Sequence, residues 1–223
     1  MYNTALDVVE NNFCMQSNYF NTRYSPDPSR KVVWKAICEY LQQFIEPNKT
    51  ILEIGPGYCD FINQIQGSKK YAVDVNPEVR TYCASDVNFV PSSFPDSLNI
   101  PPQSIDVVFA SNLLEHLSEE ESSWLFEQIQ LFLKPEGKLI FIQPNYYYCY
   151  RSYWDDFTHV KVFTHVSLSD FLASKGYKVT RVEKRFLPFS FKSILPKSYW
   201  ITKLYLTSFW RPLAKQMLVV AHK

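Results

Sequence analysis

Apolar and polar positions along this chain change period repeatedly, from helical spacing to short unbroken runs and back. After Pro26 and Pro28, the residues Val32, Val33, Ala36, Ile37, Tyr40, Leu41 and Phe44 recur at helical spacing, with Ser29 as the expected cap and Pro47-Asn48 as the stop. An apolar run over residues 50–54 predicts a strand, followed by a turn and a helical stretch from about 59 to 66. A second strand is expected over 70–75. Five prolines break the pattern between 77 and 104, where a strand around 88–90 is expected. Residues 105–110 are apolar enough to be buried on both faces of a sheet. Ser118 with Glu121 three residues on forms a capping box, which opens a helix to about residue 133. A turn at Pro135-Glu136-Gly137 leads into a strand over 138–143. Residues 167–175 predict a helix stopped at Gly176, and 177–186 and 216–221 predict two last strands.

Strands alternating with helices imply βαβ units. The expected fold is α/β: a Rossmann-like, doubly wound, mostly parallel seven-stranded sheet with helices on both faces. One domain is expected over 1–223, with a lead-in at 1–28 and aromatic or basic insertions at 144–166 and 187–212. The last two strands fit a hairpin with an enlarged connection.

Charge and cysteine content narrow the function classes. The formal net charge of +1 argues against a nucleic-acid binder held by bulk charge. From Gly176 onward, however, ten lysines and arginines face one acid, Glu183. That asymmetry suits either an anionic partner or a solvated basic face. The five cysteines are scattered, with no CxxC pair, which fits free thiols in a reducing cytoplasm. No signal peptide or membrane span is visible; peripheral membrane contact through the basic aromatic segment remains an expectation. No metal cluster is expected.

Candidate chemistry begins where the first strand ends, at Glu53-Ile54-Gly55-Pro56-Gly57-Tyr58-Cys59. Glycines permit positive φ and close approach of backbone to a ligand. A turn that feeds a helix start also presents free N–H groups to a polar ligand tail. About twenty residues on, Asp74 ends the second strand, where a carboxylate accepts hydrogen bonds from ribose hydroxyls. A dinucleotide site would place a glycine at position 60, which is Asp60.

The stretch 51–61 resembles motif I of class I S-adenosylmethionine-dependent methyltransferases. Glu53 matches the motif's acid, Gly55 and Gly57 its first two glycines, and Cys59 stands where the third is usual. The segment 104–117, containing Ser111, Asn112, Glu115 and His116, is similar to the fourth strand and following loop of that broad family. The resemblance implies that this loop walls the methionine end of the cofactor, so Ser111 and Asn112 join the candidate set. Residues 95–101 are similar to the segment that brackets the adenine, which implies roles for Asp96 and Ser97. Glu115-His116 fits a structural signature better than a catalytic pair.

The acceptor is expected over the carboxyl edge of the sheet, where 143–165 supplies aromatic faces, acids, Arg151, His159 and His165. A hydroxyl acceptor needs a base near neutrality. His159 is the first candidate, with Asp156 orienting it or acting instead, and His165 is structural. Asn145, the series Arg151, Trp154, Asp155, Asp156, Phe157 and His159, and then Gly176-Tyr177 are similar to methyltransferases of bacterial surface-polysaccharide and glycolipid pathways. That likeness implies a sugar hydroxyl on a nucleotide- or lipid-linked saccharide. A small aromatic or quinone-like acceptor, and a cofactor-binding protein without catalysis, are the alternatives.

Overall fold

The computed structural model describes residues 27–92, 100–188 and 197–223. Seven strands form one sheet: β1 (Thr50–Ile54), β2 (Lys69–Asp74), β3 (Val87–Pro91), β4 (Ile105–Ser111), β5 (Leu133–Pro144), β6 (Lys178–Glu183) and β7 (Gln216–His222). Their spatial order is β3-β2-β1-β4-β5-β7-β6. β1 to β5 pair in parallel, and β7 runs antiparallel between β5 and β6. The chain leaves β1 in one direction and resumes beside it with β4, so the order reverses at the β1/β4 boundary. Ligands of open α/β sheets sit beyond the carboxyl ends of the strands at such a reversal.

Both faces of the sheet are covered, and the two-residue strand period sorts the core accordingly. Leu52, Val108, Ala110, Leu139, Phe141, Met217 and Val219 share one cluster with Leu125, Phe126 and Ile129 of α2 (Glu119–Phe132) and with Leu168 and Leu172 of α4 (His165–Ser174). Their neighbours Ile51, Val107, Phe109, Ile140, Ile142, Leu218 and Val220 pack on the opposite face. There they meet Trp34, Ile37 and Leu41 of α1 (Ser29–Leu41) and Leu206 of α5 (Tyr199–Thr207). Phe61 stacks on Phe109 with centroids 3.7 Å apart, anchoring the segment after the glycine turn to the sheet.

Local chemistry explains where the elements begin. Ser118 accepts from the Glu121 N–H while the Glu121 carboxylate accepts from the Ser118 N–H, so the expected capping box is present. A second, unforeseen box joins Thr164 and Ser167 and starts α4 two residues early. Ser29 does not cap α1: it is the first helical residue, and Asp27 Oδ1 accepts its N–H at 2.9 Å. Residues 59–66 form successive turns rather than a regular helix, because bonds such as Gln64 N–H to the Phe61 carbonyl alternate with Asn63 N–H to the Cys59 carbonyl. α3 (Tyr146–Cys149) and α5 arise inside the two expected insertions.

The basic C-terminal part is largely occupied internally. Arg181 and Arg211 both meet Glu183, Lys197 meets Asp27, and Lys203 meets Glu39. Lys203–Glu39 joins α5 to α1, Lys197–Asp27 joins the segments that precede them, and the Tyr40 hydroxyl of α1 donates to Glu183 of β6. No helix among the described residues is long and apolar enough to cross a membrane.

Candidate functional site

The turn after β1 takes left-handed backbone at alternate positions: φ is +66° at Gly55, +55° at Gly57 and +56° at Cys59. Only glycine adopts this without strain, so Cys59 carries a cost of roughly 1–2 kcal/mol in the third glycine's place. A Cβ on Gly55 would stand 3.1 Å from Leu113 Cδ1, so the loop after β4 packs closely on the turn, and a side chain there would both push Leu113 aside and strain the backbone. Cys59 is buried, and its Sγ lies 3.1 Å from Cys83 Sγ. The shared hydrogen bond raises the Cys59 thiol and lowers that of Cys83.

Two acids frame this turn. Glu53 is buried in β1, and its Oε2 accepts the Ile62 N–H at 3.0 Å. Burial holds its carboxyl well above the usual carboxylate range. Asp74 closes β2 and accepts the Asn76 N–H at 2.9 Å. Burial pushes it up to about 6, opposed by backbone donors at Asn76, Gly57 and Val75. The Gly57 donor places the Asp74 carboxylate directly against the glycine turn. The Asp74 carbonyl accepts from Ser92 N–H; Asp96 and Ser97 lie outside the described residues.

Ser111 ends β4, and Asn112 follows with φ of +51°. Asn112 Nδ2 donates to Ser111 Oγ at 3.2 Å, and its Oδ1 accepts from Gln216 Nε2 at 2.6 Å. Glu53, Gly55, Gly57, Asp74, Ser111 and Asn112 therefore meet at the carboxyl edges of β1, β2 and β4. These residues suit a nucleoside-bearing cofactor: a buried carboxylate beside a turn whose glycines take positive φ. Gln216 and Cys83 also belong to this neighbourhood. Neither stands in a motif, and only the pairing of β7 with β5 brings Gln216 there.

The chain after β5 folds over the loop that follows β4. The Glu115 carbonyl accepts from the N–H groups of both Val160 and Lys161, at 2.9 and 3.2 Å. This brings the buried His159 ring to 4.9 Å from the His116 ring. His159 Nδ1 lies 2.7 Å from the Tyr153 carbonyl, and the Tyr153 hydroxyl donates to the Lys161 carbonyl. Asp156 Oδ1 accepts from the N–H and hydroxyl of Thr158, at 3.1 and 2.6 Å. The Nδ1 position is thus set by the Tyr153 carbonyl, while Asp156 braces the turn that carries His159. Tyr147, Tyr150, Trp154 and Phe157 are exposed around this segment. His165 N–H donates to the side chain of Asn145, whose Nδ2 donates to the Lys184 carbonyl, as befits a structural residue.

Comparison with known proteins agrees with this geometry. A family model described as a methyltransferase domain matches residues 29–182. A phosphoethanolamine N-methyltransferase of Plasmodium falciparum is 22% identical over 197 residues, which cover 80% of this chain and 63% of that protein. The chain thus spans less than two thirds of that relative's length. Among solved structures, an S-adenosylmethionine-dependent methyltransferase from Archaeoglobus fulgidus superposes with a TM-score of 0.61 at 19% identity, covering 94% of this chain and 99% of that one. A Burkholderia thailandensis 1,6-didemethyltoxoflavin N1-methyltransferase, with S-adenosylhomocysteine bound, gives 0.61 at 16% identity, covering 100% and 92%. Matched over more than half its length, the chain belongs to the methyltransferase domain family.

Proposed function

We propose that this protein methylates a sugar hydroxyl on a nucleotide- or lipid-linked glycan. The observation that carries the reading is the seat of His159: buried, its Nδ1 against the Tyr153 carbonyl, beside the loop that contacts the glycine turn. A carbonyl only accepts, so Nδ1 holds the hydrogen and Nε2 the lone pair that takes the hydroxyl proton. In that step the acceptor oxygen bonds to the methyl carbon as the sulfonium carbon–sulfur bond breaks, and S-adenosylhomocysteine leaves as a neutral thioether. Alignment within about 3 to 3.5 Å supplies much of the acceleration.

In this reading the Gly55–Gly57 turn receives the methionine end, with Ser111 and Asn112 as its wall. Asp74 accepts from the ribose hydroxyls, Glu53 holds the turn in shape, and Asp96 and Ser97 bracket the adenine. Asp156 keeps the His159 turn in place through Thr158. The exposed rings of Tyr147, Tyr150 and Trp154 offer flat faces to a sugar. Trp200, Leu204, Phe209 and Trp210 are each exposed and would meet the membrane carrying a lipid-linked acceptor.

The test is transfer of labelled methyl groups to nucleotide sugars and lipid-linked saccharides, set against phenols and phosphoethanolamine. Labelling of the saccharides, lost in His159→Ala, is the expected result. Labelling of phosphoethanolamine or phenols alone would replace the glycan with a small metabolite, a reading the Plasmodium relative favours.

A further inference from the structure

The loop after β4 buries a carboxylate in a setting that proton abstraction by His159 does not require. Glu115 is 2% exposed, and neither carboxylate oxygen has a hydrogen-bond partner. A carboxylate removed from water is costly unless a proton or a cation meets it. Asp156 adds further negative charge nearby.

Two imidazoles stand beside that carboxylate. One ligand atom each from Glu115, His116 and His159 lies within 4.8 Å of the other two, and His116 Nε2 is 4.0 Å from Glu115 Oε1. The other nitrogens are held from behind. His116 Nδ1 is 3.0 Å from Thr158 Oγ1 and 3.3 Å from the Thr158 carbonyl, while His159 Nδ1 is 2.7 Å from the Tyr153 carbonyl. An Nδ1–H donated to a carbonyl fixes the tautomer and leaves the lone pair on Nε2, the arrangement that supports metal-bound histidines.

We propose that Glu115, His116 and His159 bind a divalent transition-metal ion. Two imidazoles and one carboxylate favour zinc, cobalt, manganese or iron over magnesium or calcium, which prefer all-oxygen sites. Metal–ligand bonds of roughly 2.0–2.2 Å set ligand atoms about 3 to 3.5 Å apart, so the three groups draw in by about 1 Å on loading. Three protein ligands leave coordination positions for water or an acceptor oxygen. The catalytic consequence alone rests on the proposed acceptor position: the ion would then acidify the hydroxyl in place of the His159 base.

The full-length chain, stripped with a chelator, is titrated with cobalt(II) and followed by visible absorption. Saturation at one equivalent is expected, weakened at least tenfold by Glu115→Gln and by His159→Ala, and unchanged by Asp74→Ala. Should either variant unfold, as judged by circular dichroism, His116→Ala carries the same expectation. No saturable spectrum in the parent, or equal affinity in all folded variants, overturns the site. Binding is measured without acceptor, so its failure leaves the glycan reading standing. Inactivity toward glycans likewise leaves the metal site standing.

Discussion

Glu53 reaches across the glycine turn to Ile62, its Oε2 accepting the backbone N–H at 3.0 Å in a fully buried setting. Removing that acceptor strands an N–H away from water, at a cost of about 1–3 kcal/mol. Glu53→Ala is expected to lose stability in this range by urea unfolding. Glu53→Gln keeps an acceptor oxygen and imitates the protonated acid that burial favours. It should lose less than about 1 kcal/mol, and equal losses for the two variants would contradict the role given to the bond.

Asp74 makes two pH dependences of opposite sign. Its folded value, about 6, lies above the ordinary 3.8 because burial disfavours the charge. Without cofactor, the folded state therefore holds the proton more tightly than the unfolded chain. Stability from this group is full below pH 3.8 and is lost as pH rises through about 6. Ribose hydroxyls donate to the ionised form, so cofactor affinity should instead fall about tenfold per unit below pH 6. Calorimetry between pH 5 and 8 checks this, and Asp74→Asn should bind weakly with a flat profile.

The Gln216–Asn112 bond joins the start of β7 to a residue with left-handed backbone. Gln216→Leu keeps the bulk and deletes the donor, leaving Asn112 Oδ1 without it. The expected result is a loss of about 1 kcal/mol together with a raised KM for S-adenosylmethionine at little change in kcat. A variant with unaltered KM would show that the bond serves folding alone.

Phe61 and Phe109 are both fully buried and stacked. Phe61→Ala opens a cavity between the turn segment and the sheet, expected to cost about 3–5 kcal/mol. Phe61→Leu should cost roughly half as much, as read from denaturant midpoints. Substitution on the exposed side, as in Phe157→Ala, should change stability by less than about 0.5 kcal/mol.

The central strands were legible because they carry runs of buried, mostly apolar positions, as 51–54 and 107–110 do, whereas β3 has one buried residue and β6 none. Gly55, Gly57 and Asp74 stood out as candidates for a related reason: they lie at strand ends, and the positive φ of the two glycines is local to the turn. Ser29 misled because a cap and a first-turn residue differ by one position, and Asp27 takes the bond. The α5 helix was hidden because its inward contacts are few: Leu206 is buried, while Trp200 and Leu204 face outward. The Glu115–His116–His159 grouping was illegible because forty-odd residues separate its members, and the gap is closed by the Val160 and Lys161 bonds to Glu115 and the Thr158 contacts to His116.

The position of β7 sets the order in which this molecule can be assembled. Residues 216–221 are buried and pair with β5, and from Leu218 also with β6, although they follow both strands in the chain. A chain emerging from the ribosome can form β1 to β5 early, but β6 has no neighbour until residue 222 is free. Until then the outer edge of β5 stays open and Asn112 lacks its partner from Gln216. The surroundings of Asn112 are therefore completed only when β7 slides between β5 and β6, a late, long-range closure of the kind that slows folding.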